Sequence, residues 1–404
     1  MKKPYVLLAG VFIALMLSAC GEENEPQRPE CETVSVSAAT SEERVNQALA
    51  AVKEGKYKNL VSRKPQINVP GAEKIDILSV NTSQAGFEEY CAYVKSFCTA
   101  FLGEEYSDER LYFIPAEDIG IQSECEIEGA YRLTDFKEEL EAGRIDASQL
   151  MYFDSDKRQL ILINRTHNGG WIIDIQDSSE LKAVPEGVDY LSWLPGTDEN
   201  VIKTEKISGS EEIKLRLSDK TADINEINNT AFANRLDSAL DDHLTIRQAD
   251  TFKCEEQDRD YLLTDYLYFY DGIEIESLST RERYEFVTED EEAYHKYSLF
   301  ARPTGVNVSS AGVSYYYGDI LWDIGVFERE LKTICPPDYA IELASFELTE
   351  EVVYELEELS LCYMQTNGRL TPYWRLALKS TLDGSSLVYL TDCENGEGIA
   401  YVKS

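Results

Sequence analysis

The chain has few of the residues on which metal binding and catalysis depend. It contains three histidines, His167, His243 and His295, which lie far apart, and it has no C-x-x-C, H-x-x-x-H or H-E-x-x-H motif. A zinc site needs ligands at such close spacings. The G-x-S-x-G and P-loop motifs of hydrolases and nucleotide-binding proteins are also missing. The sequence therefore predicts no metal site, no cofactor and no catalytic residue, and we expect a protein that is not an enzyme.

Positive charge is scarce. The chain carries 38 Lys and Arg against 75 Asp and Glu, which gives a formal net charge of -37. Nucleic acid and anionic lipid headgroups would both repel such a surface. The acidic residues are spread along the chain, which is typical of a well-solvated surface rather than a dedicated cation-binding face. We therefore expect no nucleic-acid partner.

The apolar run at the N-terminus is too short for a membrane-spanning helix. Residues 5–16 are uncharged and follow two lysines, whereas a spanning helix needs about 20 residues. The length is typical of the h-region of an export signal. Residues 17–20 (LSAC) resemble the bacterial lipobox, in which the cysteine is acylated and the signal is cleaved before it. We predict a signal peptide over 1–19 and lipidation at Cys20. An uncleaved N-terminal anchor is the alternative.

Lipidation would anchor the chain to the membrane. Each buried methylene of an acyl chain contributes about 0.8 kcal/mol, and two or three chains hold stably. Removal of Lys2 and Lys3 with the signal takes the formal charge from -37 to -39, so the protein surface adds no attraction. We expect a cell-membrane, lipid-anchored protein on the extracytoplasmic face. Its expected partners are membrane lipid, through acylated Cys20, and an envelope protein.

Composition predicts an α+β fold with two domains. Hydrophobic residues make up 43% of the chain, and its 25 tyrosines favour strands. About 385 residues follow the signal, more than one core usually organises. We predict antiparallel sheets, each packed by one or two helices, in two similar domains. Residues 20–39 are polar and predict a flexible linker, 40–200 an N-terminal α+β domain, and 201–404 a C-terminal α+β domain.

Local patterns place several elements in the first half. Thr40 and Glu43 form a capping-box pattern before an apolar face of helical spacing that ends at Gly55. A second helix is predicted over 84–102. Between 149 and 175, three short β-rich runs separated by turn residues predict an antiparallel meander.

The second half is predicted to be richer in strands. We expect strands at 211–217, 244–248, 261–270 and 283–287, and helices at 221–240 and 320–334. A final meander occupies 352–402, with turns at Asn367-Gly368 and Asp383-Gly384.

Residues 370–398 carry a resemblance to a known group of domains. The segment contains Pro372-Tyr373-Trp374 and then Asp392 followed by Gly396-Glu397. It resembles the closing hairpin of PepSY-type and YycH/YycI-type extracytoplasmic domains, and residues 268–275 are similar to the strand that often precedes it. The matched motifs cover about forty residues, and the whole chain resembles clostridial-type lipoproteins. The resemblance implies a non-enzymatic regulator or inhibitor of membrane-bound or secreted partners.

Nine cysteines are present, and eight remain if Cys20 carries lipid. Cys91 and Cys98 lie on one predicted helix, about 10.5 Å apart along its axis, whereas a disulfide needs Cα atoms within about 7 Å. They cannot pair with each other, and we expect buried thiols. Four others are disulfide candidates because export permits disulfides: Cys254, Cys335, Cys362 and Cys393. The last two flank neighbouring strands, but the sequence leaves the pairing open.

These observations favour a membrane-anchored lipoprotein with a non-catalytic binding or regulatory role toward a protein partner. A solute- or glycan-binding lipoprotein is the first alternative, although the βαβ alternation of two-lobed solute receptors is missing. A surface hydrolase is the second, and the 75 acidic residues cannot identify a catalytic pair.

Overall fold

The computed structural model shows an α+β protein that is mostly sheet with few helices. It describes residues 27–79, 87–115, 130–144, 147–154, 159–165, 171–177, 203–206, 214–216, 221–223, 234–237, 243–255, 260–279, 283–288, 296–302, 304–307, 315–317, 319–320 and 327–403. Across these ranges, no helix is both long and apolar enough to cross a membrane.

The elements are named in chain order. The α-helices are α1 (Val36–Ala39), α2 (Glu42–Lys53), α3 (Phe87–Leu102), α4 (Lys137–Glu141) and α5 (Pro337–Glu347). The strands are β1 (Val34–Ser35), β2 (Leu60–Val61), β3 (Gln66–Asn68), β4 (Ile75–Ser79), β5 (Leu111–Pro115), β6 (Tyr131–Arg132), β7 (Ala147–Asp154), β8 (Gln159–Arg165), β9 (Trp171–Asp177), β10 (Lys203–Lys206), β11 (Lys214–Arg216), β12 (Thr221–Asp223), β13 (Leu244–Glu255), β14 (Asp260–Tyr270), β15 (Ile273–Ile275), β16 (Ser277–Leu278), β17 (Tyr284–Phe286), β18 (Tyr297–Ser298), β19 (Phe300–Ala301), β20 (Thr304–Asn307), β21 (Tyr315–Tyr317), β22 (Asp319–Ile320), β23 (Phe327–Leu331), β24 (Thr333–Ile334), β25 (Tyr354–Thr366), β26 (Arg369–Ser380), β27 (Ser386–Asp392) and β28 (Gly398–Lys403).

The chain divides into two compact units, each built from separated segments. Unit 1 comprises Met1–Glu73, Lys332–Ser360 and Trp374–Val402, and unit 2 comprises the rest. This grouping differs from the consecutive domains expected from the sequence, because unit 1 combines segments from both ends of the chain. Residue 200, where the sequence suggested a boundary, lies outside the described residues.

Helix α2 of unit 1 begins one residue later than its capping pattern suggests. The Ser41 hydroxyl accepts a hydrogen bond from the Arg44 N–H, so Ser41 is the N-cap. Thr40 instead ends α1, where its hydroxyl donates to the Val36 carbonyl at 2.9 Å. The predicted apolar face is buried and Gly55 follows the helix with a φ of 76°, a conformation that glycine adopts without strain.

The sequence pattern did not predict helix α5. Residues 320–334 were predicted as a helix that prolines end, but 327–331 and 333–334 are strands and Pro337 is the first residue of α5. Proline is well suited to that position because a first-turn N–H has no intrahelical acceptor. α2 and α5 run in the same direction, since Arg44 and Asp338 pair near their N-termini and Lys56 pairs with Glu342 further along.

The strands of unit 1 form parallel as well as antiparallel pairs. β1 pairs with β24 in antiparallel register, at Val34↔Ile334, in a separate two-stranded sheet. In the larger sheet, β2 and β3 both pair in parallel with β25, at Leu60↔Tyr354 and Ile67↔Leu359. The expectation of purely antiparallel sheets is therefore wrong for this sheet. A parallel partner comes from a distant part of the chain, so local turn patterns do not reveal it.

Unit 2 contains the predicted meander and the predicted second helix. β7, β8 and β9 pair in antiparallel order with continuous register. Helix α3 contributes Phe97, Cys98 and Phe101 to the core that these strands share with β5. The Tyr90 hydroxyl joins helix to sheet, because it donates to the Ile163 carbonyl and accepts from the Leu150 N–H.

The remaining described part of unit 2 is mostly strand. β13, β14 and β20 form antiparallel pairs, which confirms the strands predicted at 244–248 and 261–270. The helix predicted over 221–240 is wrong at its start, because 221–223 is β12 and pairs with β11. Residues 234–237 are helical, and those between lie outside the described ranges.

Candidate functional site

The predicted lipidation site, Cys20, lies outside the described residues. The described residues begin at 27, and a disulfide and an ion pair hold the segment that starts there to the rest of unit 1. Cys31 forms a disulfide with Cys335, with a Cα–Cα distance of 5.8 Å across a sequence separation of 304 residues. Cys31 belongs to the predicted linker, and so do β1 and α1, whose Val36 and Ala39 are fully buried. Cys31, β1 and α1 therefore belong to the fold of unit 1 rather than to a flexible linker.

A second contact holds the same segment. Arg28 pairs with Glu347 at the end of α5, with 3.1 Å between Nη2 and Oε1, and both side chains are partly exposed. The other carboxylate oxygen of Glu347 accepts a hydrogen bond from the hydroxyl of Tyr389 on β27. Burial and this carboxylate raise the pKa of Tyr389 above its ordinary value. The tyrosine therefore stays protonated and serves as a hydrogen-bond donor.

The turn between β27 and β28, residues 392–398, lies beside this contact. The Asp392 carboxylate accepts hydrogen bonds from the N–H groups of Glu394 and Asn395, at 2.7 and 3.3 Å. The Asn395 side chain accepts from the N–H of Glu397 at 2.7 Å. Side-chain oxygens that accept from nearby backbone N–H groups are a common way to fix a turn. The acidic motif of the predicted closing hairpin is thus used to shape the turn.

Two glycines in this turn have no room for a side chain. A Cβ at Gly396 would lie 2.9 Å from the Tyr339 hydroxyl and 3.2 Å from the Cβ of Cys31. A Cβ at Gly398 would overlap the Tyr389 hydroxyl and lie 2.7 Å from a carboxylate oxygen of Glu347. The Tyr339 hydroxyl also donates to the Gly396 carbonyl at 3.0 Å. Close packing joins the turn to the N-terminal segment, and we call Arg28, Cys31, Cys335, Glu347 and residues 392–398 the attachment site.

The attachment site continues into the core of unit 1. The N–H of Cys335 donates to the Cys393 carbonyl at 2.7 Å, and the indole of Trp374 donates to the Cys335 carbonyl at 2.7 Å. Trp374, Cys335 and Cys393 are fully buried. Burial raises the pKa of the Cys393 thiol well above its ordinary value, so it is a poor nucleophile at neutral pH. These hydrogen bonds hold the disulfide-bonded segment to the core, and the Cys393 thiol is not activated for catalysis.

The disulfide partners differ from those suggested by the sequence. Among the four candidates, Cys335 is bonded, and its partner is Cys31 rather than another member of the set. Cys254, Cys362 and Cys393 are buried thiols outside this disulfide. Cys98 is a buried thiol as predicted, whereas Cys91 is only partly buried.

The other residues singled out in the sequence have structural roles where they are described. His243 pairs with Asp271 at 2.9 Å, and both side chains are exposed. His167 and His295 lie outside the described ranges. Within those ranges, no group of three or more His, Cys, Asp and Glu side chains could hold a metal ion.

Two sequence signals could have shown that part of the predicted linker is folded. Cys31 is the only cysteine of the predicted linker besides the lipidation candidate Cys20, and a flexible spacer has no need for a second one. Ser35 was a second signal, because it precedes a small-residue run and its hydroxyl caps α1. The pairing of Cys31 with Cys335 had no local signal, since the two lie far apart in sequence.

Comparisons with known proteins give no relative. No protein-family model, curated protein or solved structure matches the chain.

Proposed function

We propose that the protein is an extracytoplasmic lipoprotein, held on the outer face of the cell membrane by acylated Cys20. Its role is non-catalytic binding or regulation of a protein partner in the envelope. The proposal combines the lipobox-like segment with the attachment site that follows it.

The observation that carries the proposal is the Cys31–Cys335 disulfide. Disulfides form and persist in oxidising compartments outside the cytoplasm and are rare in the cytosol. A covalent bond eleven residues after Cys20 also suits an anchored protein, because it fastens the tether directly to unit 1. The bond therefore supports both export and anchoring.

The chemistry of the buried groups supports binding rather than catalysis. Tyr363 and Tyr389 have raised pKa values caused mainly by burial. The Tyr363 hydroxyl donates to the Asp76 carbonyl at 2.9 Å, so this tyrosine also serves as a structural donor. Arg375 and Glu358 form a mostly buried pair at 3.0 Å in unit 1. Such interactions stabilise a fold that presents a fixed surface.

We infer two α+β domains, each a sheet packed by one or two helices, with a cleaved signal and a short tether before Arg28. The resemblance of residues 370–398 to the PepSY-type and YycH/YycI-type hairpin supports a regulatory role, because such domains are non-enzymatic.

The anchor is tested by detergent-phase partitioning. The wild-type protein is expected in the detergent phase and the Cys20→Ser variant in the aqueous phase, soluble and folded. The Cys91→Ala variant is the matched control, since it also removes a cysteine but should still partition with detergent. Retention of Cys20→Ser in the membrane would contradict lipidation.

The binding role is tested by crosslinking the lipidated protein in its own membrane, followed by purification and mass spectrometry. We expect one or a few envelope proteins, enriched over the Cys20→Ser sample. Recovery of no protein, together with tight binding of a sugar or peptide library, would favour the solute-binding alternative.

A further inference from the structure

We infer that unit 1 meets the lipid surface with its attachment site, so that the turn at residues 392–398 faces the membrane and the turn at 381–385 faces away. The partner of this surface is the lipid bilayer that holds the acyl chains. The inference rests on the proposed lipidation of Cys20.

The length of the tether sets the first limit. Arg28 is the eighth residue after Cys20. An extended chain spans at most about 3.6 Å per residue, so Arg28 lies within about 29 Å of the acylated cysteine in any conformation. Cys31, three residues later, is within about 40 Å by the same limit. Unit 1 is therefore held close to the bilayer.

The point at which the tether enters unit 1 sets the orientation. An exposed ion pair such as Arg28–Glu347 contributes little by itself. The Cys31–Cys335 disulfide is covalent, however, and fixes the entry point. Cys31 is packed against the turn at Gly396. The described chain therefore enters unit 1 next to residues 392–398.

The opposite end of unit 1 lies farther from this entry point. β27 (Ser386–Asp392) has seven residues and separates the two turns. At about 3.3 Å per residue, the strand places them about 20 Å apart. Leu382, in the far turn, is 78% exposed, so this end is open to the solution.

Charge does not reverse this orientation. Glu394 and Glu397 are exposed in the near turn and are repelled by anionic headgroups. Such repulsion is screened beyond about 8 Å at physiological ionic strength. It therefore sets a small gap between the turn and the headgroups, well within the reach of the tether. A soluble partner protein would meet the 381–385 end first.

Energy transfer to the membrane surface tests the inference. The full-length lipoprotein is reconstituted in vesicles of phosphatidylcholine and phosphatidylglycerol that carry an acceptor dye on their headgroups. Donor dyes are attached through an azide-bearing residue in two variants, Glu394→p-azidophenylalanine and Leu382→p-azidophenylalanine. Because the strand separates the turns by about 20 Å, we expect at least about threefold faster transfer from position 394 than from 382.

Two further arms make the outcome decisive. Insertion of twelve Gly and Ser residues between positions 26 and 27 should reduce transfer from 394 and narrow the difference. Equal transfer from the two positions, or faster transfer from 382, in membrane-bound protein would overturn the orientation and leave the anchor intact. Protein that stays in the supernatant, as Cys20→Ser should, would overturn the anchor and the orientation together.

Discussion

The indole N–H of Trp374 donates a hydrogen bond of 2.7 Å to the carbonyl oxygen of Cys335, and both residues are fully buried. The bond positions the backbone of a disulfide-bonded cysteine from inside the core of unit 1. The hydrogen bond explains why the tryptophan of the Pro372-Tyr373-Trp374 segment is internal. Its side chain supports the covalent attachment of the N-terminal segment.

Loss of the disulfide should destabilise the protein strongly. The bond closes a loop across 304 residues, and removal of a native disulfide typically costs about 2–5 kcal/mol. We expect Cys31→Ser and the double variant Cys31→Ser/Cys335→Ser to lower the urea midpoint by similar amounts, because both remove the same bond. Urea unfolding followed by circular dichroism measures this. A double variant much less stable than the single one would show that the cysteines act separately.

Gly398→Ala should destabilise unit 1, because the added Cβ would overlap the Tyr389 hydroxyl. Overpacking of this kind costs about 1–3 kcal/mol. Tyr389→Phe removes the hydroxyl but leaves ring atom Cζ only 2.8 Å away, so the cost of Gly398→Ala should fall in that background without vanishing. A double-mutant cycle in urea measures the coupling, and an additive cycle would contradict the contact.

Gly384→Ala isolates the effect of backbone conformation. Gly384 has a φ of 77° and, like Gly71, has nothing within 4 Å of the position of a Cβ. Left-handed backbone costs a residue with a Cβ about 1–2 kcal/mol. We expect that loss for Gly384→Ala and little change for the matched control Gly71→Ala, measured by thermal unfolding. Equal effects at the two sites would show that φ is not the cause.

Cys91 should react slowly with alkylating reagents in the native protein. Burial raises its pKa from 9.0 to about 12. At a given pH below 12, the fraction of Cys91 present as thiolate is therefore much smaller than for an exposed cysteine. The native thiol stays protonated until the pH approaches 12. Because the folded protein favours the protonated thiol, burial of Cys91 stabilises the fold below pH 9, and this stabilisation is lost as the pH rises toward 12. At pH 9 we expect iodoacetamide to modify Cys91 about two to three orders of magnitude faster in urea than in buffer, because the thiolate is the nucleophile. Peptide mass spectrometry reads the rate at Cys91 alone, and equal rates would contradict the burial.

Elements defined by neighbouring residues were predictable. The apolar spacing of α2 and α3, the β7–β9 meander and the Asn367-Gly368 turn follow from periodicity and turn chemistry. Asn367 and Gly368 both have positive φ, at 51° and 72°, which suits a tight hairpin turn. Local sequence is sufficient here because the interactions are made within a few residues.

Elements that depend on distant partners were not predictable. Residues 327–331 were expected to be helical but form β23, which pairs with β4 from a region about 250 residues earlier. Pairing with a strand overrides a weak helical periodicity, because packing and ladder hydrogen bonds exceed intrinsic propensity. The start of α5 was misjudged for a related reason, since prolines that can end one element can also begin the next.

The sequence by itself determined the negative net charge, helices α2 and α3, the β7–β9 meander and the Asn367-Gly368 turn, because each depends on composition or on residues a few positions apart. The export signal and the lipid site at Cys20 stay predictions of the sequence. The tertiary structure alone decided that Cys31 bonds Cys335, that the segment from Arg28 onward belongs to unit 1, and that Gly398 packs against Tyr389 and Glu347. The Cys31–Cys335 and Arg28–Glu347 contacts join residues about 300 positions apart in sequence, and only the folded chain brings them within bonding distance.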